Sequence, residues 1–254
     1  MYHIFILINK LMKSLSLYIF GSWAWFVFTI ITLGMIVCFP FTRNFESTRN
    51  LAKKSCTLII KLLRLNLIVE GEEHLLDRPT IVVANHASYA DPMILAAALP
   101  SNFAYVAKKE LGHIPFAEYV LSKLGTHLVD RVNPRKGAED FKKIMASNKL
   151  SDSIIFFPEA TFLKDEGLLK FKKGAFLTAI KNDVPVIPIT ISGSREFLRS
   201  ESWLPKKVTL VISISPPIET KDRNITADEI SMQSREMILS KLDEPDLNHK
   251  SFKG

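Results

Sequence analysis

The segment Asn85-His86-Ala87-Ser88-Tyr89-Ala90-Asp91-Pro92 places an imidazole and a carboxylate five residues apart, directly after the apolar run Thr80-Ile81-Val82-Val83-Ala84. Imidazole titrates near neutrality, and a carboxylate beside it fixes its tautomer and stabilises its charged form. A strand that ends in such a turn can present a general base at the edge of a sheet. His86 and Asp91 are therefore the candidate catalytic pair.

The elements around the pair read as an alternation of strands and helices. Strand patterns cover residues 65–70, 80–84, 103–107, 127–130, 153–158, 185–191 and 208–213, and helical patterns cover 92–99, 115–124, 138–148 and 174–181. Several of the strands are near-continuous apolar runs, as expected where helices cover both faces. The pattern predicts an α/β domain over residues 65–245 with a mainly parallel sheet flanked by helices. Ligands of such sheets gather beyond the carboxyl ends of the strands. His86 and Asp91 follow one strand, Lys108 and Lys109 another, Asp130 and Arg131 a third, and Pro158-Glu159-Ala160-Thr161-Phe162 a fourth. One edge can thus hold a base, its orienting carboxylate, several cations, a second carboxylate and a hydroxyl, a set suited to activating a hydroxyl on a phosphate-bearing molecule.

The chain has 254 residues, 17 of them Phe, and a net charge of +7. That content excludes a disordered chain, and the charge suits a phosphate-bearing partner or an anionic membrane surface. No nucleic-acid-binding motif is present, so nucleic acid is not an expected partner. Residues 17–41 carry no charge, and about 20 apolar residues suffice for a helix to cross a bilayer. The apolar stretch is too long for a signal peptide and no small-residue cleavage site follows it. Residues 1–44 are therefore expected to form a membrane-anchoring helical segment, spanning or monotopic. Arg43, Arg49, Lys53 and Lys54 follow the run, which favours a catalytic domain facing the cytoplasm. Residues 45–64 read as a basic amphipathic helix with Leu51, Leu58, Ile59 and Leu62 on one side. Such a helix can lie on anionic lipid or pack on the domain. Cys38 and Cys56 are too few for a disulfide framework and read as apolar packing residues of a reducing compartment. Thr226-Ala227-Asp228-Glu229 has the form of a capping box opening a last helix that Pro245 ends, and residues 246–254 are expected to form a flexible tail.

Four blocks now give the chain a specific resemblance. They are Asn85 to Asp91; Lys108-Lys109-Glu110-Leu111 through Pro115 to Gly125-Thr126-His127-Leu128-Val129-Asp130-Arg131; Phe157-Pro158-Glu159-Ala160-Thr161; and Val184-Pro185-Val186-Ile187-Pro188-Ile189. In this order, beside an N-terminal apolar segment, they resemble the glycerolipid acyltransferase family typified by bacterial 1-acylglycerol-3-phosphate acyltransferase, with its His-four-spacer-Asp signature. The resemblance implies direct acyl transfer from acyl-CoA or acyl carrier protein to a lysophospholipid hydroxyl, with lysophosphatidic acid the leading acceptor. His86 would act as base and Asp91 as its orienter, and no bound cofactor would be required. Lys108 and Arg131 match positions that meet the acceptor phosphate or the donor. Glu159 and Thr161 match the block that positions the acceptor.

Two departures stand out. The family's third block usually carries glycine at position 160 and arginine or a small polar residue at 162, where this chain has Ala160 and Phe162. Ala160 is a modest steric change if its φ is negative. Phe162 replaces a phosphate-binding cation with an apolar ring, leaving Lys164, Lys170, Lys172 or Lys173 to supply the charge, or a different lysophospholipid or a lyso-aminolipid as acceptor. A metal reading through His86, Asp91, Glu159 and His127 lacks any HxH, HExxH or paired-carboxylate spacing. A lipid-binding protein without activity would be expected to have lost the base, and His86 and Asp91 are both present.

Overall fold

The computed structural model describes residues 2–130, 136–137, 139–140, 152–199, 201–221 and 225–248, with side chains of the first helix described at residues 11–12 and from 14 onward. Seven strands form one sheet in the order β1-β7-β6-β2-β5-β3-β4. They are β1 (Asn66–Glu70), β2 (Ile81–Ala84), β3 (Phe103–Lys108), β4 (His127–Val129), β5 (Ser153–Phe156), β6 (Val186–Ser192) and β7 (Thr209–Ile214). All neighbours run parallel except β6 and β7. β2 and β5 are buried along their whole length. This is the fate of the unbroken Ile-Val and Ile-Phe runs, which have no polar face to offer to water.

The helices are α1 (Tyr2–Cys38), α2 (Phe45–Leu62), α3 (Asp91–Ala98), α4 (Pro115–Lys123), α5 (Gly174–Asn182), the short α6 (Ser194–Phe197) and α7 (Ala227–Leu239). One core lies between the sheet and the α1, α2 and α3 side, and gathers Ala24, Val27, Ile59, Ile94, Val82 and Ile187. The other lies beneath α5 and α7 and gathers Ile81, Phe176, Ala179 and Ile230. The expected helix 138–148 falls mostly outside the described residues.

Pro40 stops α1, whose last residues tighten into a 3-10 turn with Phe39 fully buried. Within α1, residues 14–41 are long and apolar enough to cross a membrane. Its middle is nevertheless seated on the domain: Ala24 and Val27 are buried, Phe20 and Ile31 pack on the same core, and Trp25 donates its ring N–H to the Trp203 carbonyl. At Gly21 an added Cβ would lie 2.5 Å from a side-chain methyl of Leu204, which would have to turn aside.

Several expectations change. α2 packs on the domain through Ala52, Ile59, Ile60 and Leu63, while Leu58 and Leu62 of the expected apolar side face outward. Asn44 opens this helix with a capping box to Ser47. Cys56 joins the first core, where burial pushes its thiol up to about 12. Cys38 is exposed, so the packing role expected of it does not hold. α7 ends at Leu239, well before Pro245, and the tail is fixed at its start: the Leu247 N–H donates to Leu168 at 3.0 Å and Asp246 pairs with the buried Arg235.

The Thr226 hydroxyl accepts the Glu229 N–H, and Glu229 returns a bond to the Thr226 N–H at 2.7 Å. Replacing Thr226 with Ala removes half of this box and is expected to cost about 1 kcal/mol, measurable as a lowered thermal midpoint of the detergent-solubilised protein.

Candidate active site

β2 carries four apolar residues into the sheet and then meets Asn85, whose side chain is buried. A buried amide must bond. Asn85 bonds to both sides of one residue: it accepts the Ile191 N–H at 2.7 Å and donates to the Ile191 carbonyl at 2.9 Å. The side chain imitates one more rung of the β2–β6 ladder, so the backbone can leave the sheet at His86 without opening it.

Asp91 begins α3 and is fully buried. Its Oδ2 accepts the Ala87 N–H at 2.7 Å, the Ser88 N–H at 2.9 Å and the His86 ring Nδ1 at 2.8 Å. A helix start also favours negative charge. With Nδ1 donating to Asp91, the imidazole Nε2 has a free lone pair. The His86 side chain keeps 14% of its surface exposed, so the ring is not sealed inside the domain. The arrangement fixes the imidazole tautomer, which is what a general base at this position would require.

Glu159 completes it from the other side. It is 4% exposed, accepting the His86 main-chain N–H at 2.7 Å on one oxygen and the Leu169 N–H at 2.7 Å on the other. The carboxylate expected to position an acceptor therefore spends both oxygens on backbone. It ties the end of β2 to the loop after β5. Burial pushes its carboxyl up to about 8, against the opposing pull of the two N–H donors and of Arg235.

Ala160 follows with φ +62°, in the left-handed region. The condition under which alanine would be harmless is not met, and the position is one that glycine fills without strain. Thr161 is exposed in the same loop. Phe162 turns its ring toward the base: its centroid lies 4.6 Å from the His86 ring and 4.8 Å from the Tyr89 ring, edge to face. Phe157 stacks on His86 at 4.4 Å. Two phenyl rings thus flank the imidazole where a cation was expected.

Of the lysines that were to replace that cation, Lys164 pairs with Glu201 and Lys173 with Asp228, each at 2.8 Å. Lys108 is exposed at the end of β3, two strands from β2 in the sheet order. Arg131 lies outside the described residues. The fold therefore brings His86, Asp91 and Glu159 together with Thr161 nearby and leaves Lys108 apart. Sequence reasoning gave no role to Asn85, Phe157 or the buried Arg195. Arg195 grips Glu244 with two bonds of 2.8 Å and the Leu163 carbonyl at 2.9 Å, holding the loop that carries Phe162. A polar residue at the end of an all-apolar strand was the available signal for Asn85; nothing local marked Arg195. Among the described residues no three of His, Cys, Asp and Glu gather as a metal-ligand set.

His86, Asp91 and Glu159 all lie within a segment that matches a known family. The Acyltransferase family pattern matches residues 66–192, and the chain belongs to that family. It is 30% identical over 172 residues to the 1-acyl-sn-glycerol-3-phosphate acyltransferase of Saccharomyces cerevisiae, covering 66% of this chain and 56% of the yeast protein. It is 33% identical over 182 residues to the chloroplast 1-acyl-sn-glycerol-3-phosphate acyltransferase LPAT1 of Arabidopsis thaliana, covering 68% of this chain and 50% of the plant protein. The chain thus spans about half the length of these relatives. The crystal structure of the 1-acyl-sn-glycerophosphate acyltransferase PlsC from Thermotoga maritima shares the fold, with a TM-score of 0.73 and 24% identity over 90% of this chain and 95% of that one.

Three outcomes follow from this geometry. Ala160→Gly releases the left-handed strain and is expected to raise stability by about 1 kcal/mol, read as a higher thermal midpoint. Glu159→Gln turns an N–H acceptor into a donor facing an N–H, and the displaced base should cost on the order of 100-fold in kcat. Because the folded carboxyl of Glu159 sits near 8 and the unfolded one in the ordinary carboxylate range, the native state holds this proton more tightly. Its contribution is complete at acid pH and is lost as pH rises through about 8. Thermal midpoints should fall over that window more steeply in the wild type than in Glu159→Gln.

Proposed function

We propose that the protein is a membrane-attached O-acyltransferase that transfers an acyl chain from acyl-CoA or acyl carrier protein to the free hydroxyl of a lysophospholipid, with 1-acyl-sn-glycerol-3-phosphate the leading acceptor and phosphatidic acid the product. The observation that carries the reading is the His86 imidazole held at Nδ1 by Asp91 and at its backbone by Glu159, with Nε2 open. Nε2 takes the acceptor hydroxyl proton as the oxygen attacks the thioester carbonyl. Asp91 stabilises the imidazolium. The tetrahedral intermediate then expels the thiolate, which recovers the proton from His86. The substrate is the nucleophile, so no serine or cysteine and no bound cofactor enters the step.

An apolar cavity of about 130 Å³, lined by Ala24, Trp25, Phe28, Met93 and Phe197 and reaching the His86–Asp91 turn through Tyr89, suits an acyl chain. It is built jointly by α1 and the domain, so the anchor forms part of the site. Because the middle of α1 packs on the domain, lipid cannot ring it on every side. That favours attachment to one face of the bilayer, with the domain on the cytoplasmic side. Phe162 favours a second acceptor class: with a phenyl ring beside His86 in place of a cation, a lysophospholipid with a larger headgroup or a lyso-aminolipid competes with lysophosphatidic acid.

The test is a mass-spectrometric assay of the purified chain with mixed lysolipids and acyl thioesters. His86→Ala is expected to lower transfer by roughly 100- to 10,000-fold, and transfer that survives the substitution would sink the mechanism. Phe162→Arg should raise the preference for lysophosphatidic acid over neutral-headgroup acceptors.

A further inference from the structure

The other end of α1 carries a feature that the acyl-transfer chemistry leaves unused. Phe39, fully buried, meets the Tyr119 ring of α4 at 6.2 Å, which sets α4 alongside the foot of the apolar helix. Phe116, Tyr119 and Lys123 recur at three- and four-residue spacing and so share one face of α4. Lys123 lies over the Tyr119 ring at 5.8 Å and lines a cavity of about 350 Å³ with Thr42, Arg43, Asn44, Phe45 and Thr48. The floor is polar: the Thr42 and Thr48 hydroxyls bond to each other at 2.7 Å. Neither Arg43 nor Lys123 forms an ion pair among the described residues. Around this cationic hollow stand phenyl rings that are largely exposed: Phe41 is 82% exposed, Phe116 71% and Phe45 54%.

Two unpaired cations over hydroxyls, with exposed rings around them, complement a molecule that is anionic at one point and apolar beside it. A free anion would leave the rings in water. A phospholipid in a bilayer satisfies both parts at once, since its phosphate meets Arg43 and Lys123 while its chains lie against the rings. The hollow also continues directly from the apolar run of α1. We infer that the α1–α2 turn and α4 form a second membrane contact, a binding site for the phosphate headgroup of an anionic phospholipid built by Arg43 and Lys123 and flanked by Phe41, Phe45 and Phe116. The inference rests on the membrane attachment proposed above but not on the acyl transfer. Its consequence is orientational: one helix leaves the domain free to roll about its axis, and a second contact beside it stops the roll.

The full chain is partitioned, by flotation, into phosphatidylcholine vesicles with and without a minor fraction of phosphatidylglycerol. The wild type should prefer the anionic vesicles by roughly tenfold or more, an advantage that shrinks at high salt. Arg43→Glu with Lys123→Glu should abolish the preference, and the gentler Arg43→Gln with Lys123→Gln should do the same with an unchanged thermal midpoint. Lys181→Glu with Lys241→Glu, an equal charge change on the α5 and α7 side, should retain it. Phe116→Ser should weaken partition into both vesicles. Equal loss in the two Glu pairs would mean that net charge alone is read, and no loss in the Arg43 and Lys123 pairs would mean that the hollow is not in contact; either result overturns the site. A wild type that floats with neither vesicle overturns the membrane reading itself.

Discussion

The bond on which the site depends is the one from the Glu159 carboxylate to the main-chain N–H of His86. β2 and β5 are adjacent and parallel, so their ends emerge side by side, but adjacency alone leaves two loops free to drift. Glu159 removes that freedom by accepting one N–H from each loop. Asp91 then needs to fix only the ring. The division of labour is economical in geometry: one carboxyl group places the His86 backbone, and another fixes its ring.

The cost is a second buried carboxylate near the first, and the fold meets it with oriented N–H groups more than with cations. Asp91 lies at the start of α3 and receives two main-chain N–H groups besides the ring. Glu159 receives two, with the charges of Arg235 and Arg195 also acting on it. Arg235 itself spends its guanidinium on the Leu168 and Leu169 carbonyls and on Asp246. Main-chain donors are fixed by the fold and cannot swing away, which makes them the more reliable partners for groups that must hold position while a neighbouring imidazole changes charge.

Much of this was legible in the sequence because the strands are short, apolar and separated by distinct turns. Each of the seven strand patterns appears within a residue or two of its expected limits, and the His86–Asp91 spacing reads directly as a turn before a helix. What stayed hidden depended on distance in the chain. Asn85 and Ile191 meet only because β2 and β6 pair, and Arg195 and Glu244 only because the chain returns to the loop. The face of α2 was misjudged because Leu58 and Leu62 look like core residues, yet they lie on the helix's outer side, where Trp23 of α1 reaches the Leu62 carbonyl. Ala160 shows a different limit, since a residue type does not report the sign of its own φ.

The backbone of Leu168 is held on both sides by residues near the far end of the chain: its N–H donates to the Pro245 carbonyl, and its carbonyl accepts from Leu247. The loop that carries Phe162 beside His86 is thus braced by residues far from it in sequence, so loosening the segment around Pro245 would also loosen the loop that packs on the imidazole.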